Sequence, residues 1–335
     1  MKRIASFFLA LALAFSLTAC TVPVEKADDG KIQIVATLFP YYDFARAIVG
    51  DRADVTLLLS PGREAHSFEP TPLDAVTISE SDVFLYNGGE GEYWVDSMLG
   101  AAGENIAVVA RMMDYVDALN EEYVEGMQGA DGHDHDHEHG SHDDHDHDHE
   151  EDEHDSDEIE YDEHIWTSPK NAVVLCRAVC DAICRADAEN AAFYRANCEN
   201  YCAQLEDLDA RFAALCESAP RRLLIFADRF PMLYFCREYG LDYRAAFHGC
   251  SGDTEPSLAT IKFLIDKVED ENIPVVYTID FGTKKVAAVV SECTGAAIET
   301  LYSMQTVSRA DFDAGETYLT LMERNFETLR KGLNE

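Results

Sequence analysis

Residues 32–50 read IQIVATLFPYYDFARAIVG and predict the first strand and helix of an alternating fold. Their first six residues alternate in polarity and are rich in β-branched side chains, which is typical of a strand. Residues 39–49 then have the apolar spacing of a helix, and Gly50 follows as a stop signal. The stretch therefore predicts one strand–helix unit, and the architecture depends on how that unit continues.

The same alternation continues along both halves of the chain. Further strands are predicted at 55–59 and 83–86, with a helix at 71–80 between them. The second half has predicted strands at 223–226, 243–247 and 275–279, and predicted helices at 230–239, 257–271, 283–294 and 314–333. Short strands that alternate with helices indicate parallel sheets, whose ligand sites gather at the carboxyl ends of the strands.

The fold class is therefore α/β, with two lobes built on central parallel-type sheets. Ser168 and Pro169 are a typical helix start, and residues 188–218 contain so few breakers that they predict one long, rigid linker helix. We expect an N-terminal lobe at 31–187, the linker helix at 188–218 and a C-terminal lobe at 219–335. A ligand cleft would lie between the lobes.

The N-terminus has the pattern of a lipoprotein signal peptide. Residues 1–20 begin with Lys2 and Arg3, continue with an apolar run and end in Leu-Thr-Ala-Cys at Cys20. This ending resembles a bacterial lipobox, so we expect an acylated Cys20, a polar tether at 21–30 and an extracytoplasmic protein anchored to the cell membrane. The alternative is an ordinary cleaved signal with an incidental cysteine.

The charge is strongly acidic, with a formal net value of −38. Between Asp131 and Glu163 there are 18 acidic residues and no Lys or Arg. Such a bias argues against nucleic acid as a partner and favours cations.

Residues 129–157 form a low-complexity tract of histidine, aspartate and glutamate. Its nine histidines are His133, His135, His137, His139, His142, His145, His147, His149 and His154. With almost nothing apolar to bury, the tract is expected to be a disordered loop. A solvated charge run would explain the acids but not the histidines. We therefore interpret the tract as an auxiliary, low-affinity collector or sensor for zinc, copper or nickel rather than manganese.

Only three histidines lie outside this loop: His66, His164 and His248. His66 follows a predicted strand in PGREAHSFEP, and His164 precedes a predicted helix in DEHIWTSP. Neutral imidazole is the usual nitrogen ligand of zinc, and carboxylates supply oxygen ligands. A single loop histidine is more often a surface or capping residue, so the surrounding motifs decide between these interpretations.

Those motifs resemble the cluster A-I solute-binding proteins of bacterial ABC importers for zinc and manganese. The matching stretches are TLFP at 37–40, GREAHSFEP at 62–70, YNG at 86–88, HIW at 164–166, YGL at 239–241 and EPS at 255–257. The resemblance implies two α/β lobes joined by one rigid helix, with a metal ion held between them. It also implies a carrier rather than an enzyme, and an ABC transporter permease as partner.

The resemblance further implies four ligand positions. His66 and His164 match the first two, and Asp280 matches the acidic fourth. The third family ligand is usually a histidine, but this chain has FADRF at 226–230, so Asp228 is the expected replacement and His248 a substitute. Asp228 could equally form a salt bridge or cap a helix.

Two imidazoles and two carboxylates suit Zn²⁺ and would also accept Mn²⁺. We therefore expect a monomeric protein that captures zinc and delivers it to a permease, with manganese as the alternative cargo. The rival functions are a zinc hydrolase and a surface adhesin. The hydrolase is disfavoured because the sequence has no His-Glu-x-x-His motif.

Nine cysteines remain besides Cys20, and three of them recur every four residues at Cys176, Cys180 and Cys184. Such a stripe could be a thiol ligand set, but it also has the period of a buried helix face. The second interpretation is favoured, and no disulfide is assigned.

Overall fold

A computed structural model describes residues 30–65, 68–102, 105–128, 160–251 and 255–334. The predicted signal peptide with Cys20, the residue His66 and the histidine loop at 129–157 lie outside the described residues. Among the described helices, none combines the length and the apolar character needed to cross a membrane.

Two four-stranded parallel sheets form the frame of the molecule. The first has the strand order β2-β1-β3-β4, and the second has the order β6-β5-β7-β8. The strands are β1 (Gln33–Ala36), β2 (Asp54–Leu57), β3 (Val83–Tyr86), β4 (Val108–Arg111), β5 (Leu223–Phe230), β6 (Asp242–His248), β7 (Val275–Ile279) and β8 (Ala297–Leu301). The expected α/β class with two parallel sheets is confirmed.

Ten α-helices connect and cover these strands in the described residues. They are α1 (Phe39–Val49), α2 (Pro72–Ser79), α3 (Trp94–Ala102), α4 (Pro169–Ala186), α5 (Ala191–Ser218), α6 (Leu233–Tyr239), α7 (Leu258–Asp270), α8 (Lys285–Thr294), α9 (Arg309–Ala314) and α10 (Tyr318–Asn334). The 28-residue α5 is the expected long helix, although it starts at Ala191 rather than 188. The predicted lobe boundaries around it stay predictions.

The largest differences from the sequence-based bounds in the second half occur at two places. The strand expected to end at 226 continues to Phe230, so the helix expected from 230 begins only at Leu233. The terminal helix expected from 314 is two helices, because Gly315 ends α9 with a left-handed backbone and α10 begins at Tyr318.

One hydrophobic core includes residues of both sheets and of the helices between them. Ile34 of β1 and Phe84 of β3 belong to the same buried cluster as Phe226 of β5 and Tyr277 of β7. A second cluster covers the other face of the C-terminal sheet, where Ile225 of β5 is completely buried. Neighbouring residues of β5 therefore face different clusters, as the pleat of a strand requires.

Candidate metal centre

The candidate site lies beyond the carboxyl ends of strands from both sheets. β7 ends at Ile279, so Asp280 is the first residue beyond it, and the loop after β2 carries Glu64. His164 immediately precedes a short 3-10 turn at Ile165–Thr167, just before α4. In each parallel sheet the carboxyl ends of the strands lie at one edge, and residues that follow strands of both sheets line one cavity here.

His164 is held in a fixed orientation by its neighbours. Its ring is almost completely buried, and Nδ1 lies 3.1 Å from Oδ1 of Asp162. The same Asp162 oxygen accepts the His164 backbone N–H at 2.7 Å. A histidine whose Nδ1 donates to a carboxylate presents Nε2 as its lone-pair nitrogen, which is the usual arrangement for a metal ligand.

The segment that carries His164 is anchored to the rest of the site. The indole N–H of Trp166 donates to the Ser303 carbonyl at 2.8 Å, and the Tyr318 hydroxyl donates to the Trp166 carbonyl at 2.7 Å. The Trp166 and His164 ring centroids are 5.6 Å apart. These contacts fix the position of His164 relative to the C-terminal sheet.

Asp280 faces the same cavity as His164. The cavity has a volume of about 20 Å³, and its lining also includes Glu64, Arg229 and Gly249. This is room for about one water-sized species. The cavity is therefore the right size for a single ion between an imidazole and a carboxylate.

The electrostatics of this cavity link its ionisable groups. Burial raises the pKa of Asp280 to about 6, and the nearby Glu64 carboxylate adds to this rise although the Ser303 N–H opposes it. Burial lowers the pKa of His164, but the carboxylates of Asp162 and Glu121 outweigh this effect and leave the pKa raised. Both groups therefore hold protons more tightly than usual, so protons compete with a cation for this cavity as the pH falls.

Gly249 allows the second sheet to approach His164 closely. A Cβ at this position would lie 3.1 Å from the His164 ring and 2.9 Å from the Phe230 carbonyl oxygen. Any larger residue here would push against the imidazole.

An ion pair not foreseen from the sequence crosses the edge of the cavity. The Arg229 guanidinium donates to the Glu64 carboxylate at 2.8 Å, and both side chains are partly sheltered from solvent. The two residues are 165 positions apart, so no local pattern could have paired them.

Asp228 lies beside the segment of Asp280 but lines a different cavity, and its Oδ2 accepts the Ile279 backbone N–H at 3.4 Å. It belongs to an irregularity in β5, where the register against β6 shifts between Phe226 and Arg229. Its Oδ1 accepts the Arg229 backbone N–H at 2.9 Å, and its carboxylate lines a neighbouring cavity of about 110 Å³. One extra residue in a strand redirects the side chains that follow, which accounts for this placement.

His248 is also separated from the cavity that His164 lines. Its Nδ1 lies 3.6 Å from the Glu121 carboxylate, and its ring packs against Tyr123 at 5.1 Å between centroids. Glu121 raises the pKa of His248 although burial opposes this. The structure thus brings together His164 and Asp280, whereas Asp228 and His248 have other partners.

The comparisons with known proteins decide the family. The family model described as "ZnuA: Zinc-uptake complex component A periplasmic" matches residues 34–332. This chain belongs to that family. The ZnuA family is one of transport proteins, which agrees with the resemblance seen in the motifs.

Individual ZnuA-type proteins are similar to this chain over nearly all of its length. The high-affinity zinc uptake system protein ZnuA of Bacillus subtilis is 29% identical over 339 residues, which cover 99% of this chain and 98% of the relative. The zinc-binding lipoprotein AdcA of Streptococcus pneumoniae is 29% identical over 332 residues, and the match spans 61% of that longer protein.

A solved structure has the same fold. The crystal structure of the metal-dependent lipoprotein YcdH from Bacillus subtilis aligns with a TM-score of 0.71 at 28% identity, covering 90% of this chain and 100% of that chain. The expected two-lobe solute-binding fold is confirmed.

Proposed function

We propose that this chain captures Zn²⁺ outside the cytoplasm and delivers it to the permease of an ABC importer. The observation that carries the proposal is the shared cavity of His164 and Asp280, in which one imidazole and one carboxylate face a space for a single ion. The family and the zinc-uptake relatives support zinc as the cargo. Mn²⁺ remains the alternative cargo, because nitrogen and oxygen ligands accept it as well.

The proposed ligands are His164 and Asp280, together with His66 from the loop after β2. Glu64 and Ala65, which directly precede His66, line the cavity. Asp228 stays a candidate if its carboxylate turns away from its backbone partners, and Glu64 is a further candidate because its carboxylate is already at the cavity. His248 is the substitute least supported by position.

The protein is proposed to act as a carrier rather than an enzyme, as a lipid-anchored monomer. Cys20 would hold it to the bacterial cell membrane, and the permease would be its protein partner. Because the two sheets share one core cluster, metal capture should involve little hinge closure.

Zinc titration of a loop variant tests the proposal. The nine loop histidines are replaced by asparagine, which removes imidazoles but keeps the length of the chain. We expect one tight zinc site per chain, because the proposed ligands lie outside the loop. Loss of tight binding in this variant would mean that the loop holds the zinc, and the proposal would fail.

Zinc binding should weaken as the pH falls. Zinc competes with protons on His164, whose pKa is raised, and on Asp280, whose pKa is about 6. Affinity should therefore fall as the pH drops from 7.5 to 5.5, by up to about a hundredfold per pH unit where two protons are displaced. Asp280→Asn should bind zinc more weakly at every pH. The slope of its log affinity against pH should be smaller by about one proton. Equal slopes in both proteins would contradict ligation by Asp280.

A further inference from the structure

Five buried cysteines lie along the contact between α4 and α5. They are Cys176, Cys180 and Cys184 on α4, and Cys198 and Cys202 on α5. All nine cysteines in the described ranges are free thiols. The stripe predicted on α4 as a core face is buried, but it faces a second pair of cysteines that the sequence pattern did not reveal.

Three of these thiols form a compact group. The Sγ atoms of Cys176, Cys198 and Cys202 all lie within 4.8 Å of one another, and those of Cys198 and Cys202 are 3.8 Å apart. A metal–sulfur bond of about 2.3 Å would place the sulfurs of a planar trigonal site about 4.0 Å apart. The three sulfurs therefore need only small shifts to surround one ion.

The backbone holds these thiols in place. The Cys198 thiol is directed to the Cys176 carbonyl at 3.8 Å, and the Cys202 thiol is directed to the Val173 carbonyl at 3.9 Å. Both sulfurs of α5 thus face α4, where the third sulfur lies. Two rigid helices supply the site, and such a site needs little ordering on binding.

One thiol of the cluster deprotonates more easily than the other two. The neighbouring thiols, Cys176 first, hold the pKa of Cys198 well below that of an ordinary thiol, and Arg177 adds to this effect. The hydrogen bond to Cys198 in turn raises the pKa of Cys176, and the pKa of Cys202 is also raised, so a metal ion must displace the protons of these two thiols.

Arg177 and Arg195 line a cavity of about 250 Å³ that also includes Cys198 and Cys202. Three thiolates around a monovalent ion carry a net charge of −2. The two guanidinium groups offset part of this charge, although Asp181 and Glu199 line the same cavity and Arg177 also pairs with Glu206.

We propose that Cys176, Cys198 and Cys202 form a second metal site, a trigonal thiolate site for a soft monovalent ion such as Cu(I). Thiolate sulfur selects soft ions, and three sulfurs suffice for Cu(I), whereas structural zinc takes four ligands. The adjacent cavity gives the ion access from solvent. The bound ion would clamp α4 to α5.

The test is anaerobic binding of Cu(I) to the reduced full mature chain, in competition with a Cu(I) chelator. X-ray absorption should show a shell of sulfur only, with about three sulfurs at about 2.3 Å. Alanine substitution of Cys176, Cys198 or Cys202 should each weaken binding by at least about a hundredfold.

Two controls separate this site from others. Cys236→Ala removes an equally buried thiol outside the cluster and should leave Cu(I) binding unchanged. Cys180→Ala should also keep the site, because a trigonal site does not need a fourth sulfur. Zinc titration of every variant reports that the fold and the proposed zinc centre are intact.

Three outcomes would overturn the proposal. The first is unchanged Cu(I) affinity in the three cluster variants. The second is a shell that contains nitrogen, or four sulfurs that include Cys180. The third is a disulfide between α4 and α5 in the protein as purified under reducing conditions.

Discussion

His164→Ala should abolish tight zinc binding, with a loss of affinity of about a hundredfold or more. The side chain is buried at the shared cavity, and Asp162 orients its ring. Removal of a group that merely orients a ligand costs about ten- to a hundredfold in metal affinity, so removal of the ligand itself should cost at least the upper value. A hundredfold loss corresponds to about 2.7 kcal/mol. The measurement is competitive zinc titration against a chelator at neutral pH.

Matched variants make this result specific. His164→Gln keeps most of the side-chain volume and should lose affinity as His164→Ala does, so a packing defect cannot explain the loss. His248→Ala removes a comparable imidazole that is not at the cavity, and its affinity should change far less. Retained tight binding in both His164 variants would remove His164 from the site.

Trp166→Ala should destabilise the metal-free protein by about 3–5 kcal/mol, the usual cost of deleting a large buried aromatic side chain. Trp166 is completely buried, packs edge-on against Tyr41 at 6.3 Å between centroids, and donates to the Ser303 carbonyl. Its loss leaves a cavity and an unpaired carbonyl between the two sheets. Urea denaturation followed by circular dichroism measures the free energy of unfolding.

Trp166→Phe separates the contribution of aromatic packing from that of the hydrogen bond to the Ser303 carbonyl. It keeps an aromatic ring but removes the N–H donor, so about 1–2 kcal/mol of the loss should remain. The chain has one other tryptophan, Trp94, whose indole N–H has no hydrogen-bond partner in the described structure. Trp94→Phe should therefore cost less than Trp166→Phe, and equal costs would contradict the role given to the Ser303 contact.

Two strands could be predicted from the sequence with the bounds that the structure has. β3 and β7 have the predicted bounds, and their residues are buried along most or all of their length. β8 reads AIETL and was missed, because it pairs with β7 alone at the edge of the sheet and is largely accessible to solvent. β5 was predicted too short because polar Asp228 and Arg229 lie in its irregular segment.

The site could be predicted only in part, because local sequence features mark some of its residues whereas tertiary packing places the others. His164 and Asp280 were found because a motif and a strand end mark them, and both positions are local features of sequence. The orientation of Asp228 depends on one extra residue in β5, which the pattern of the chain does not reveal. The Glu64–Arg229 pair and the thiol cluster depend on how distant segments pack, so only the three-dimensional structure shows them.

The central claim is that His164 and Asp280 hold the same zinc ion. A crystal structure of the zinc-loaded protein, with anomalous scattering recorded on both sides of the zinc absorption edge, tests it most directly. The account predicts one zinc peak in the shared cavity, about 2.0–2.2 Å from Nε2 of His164 and from a carboxylate oxygen of Asp280. A zinc ion located elsewhere, with Asp280 still bound only to the Ser303 N–H, would contradict the account.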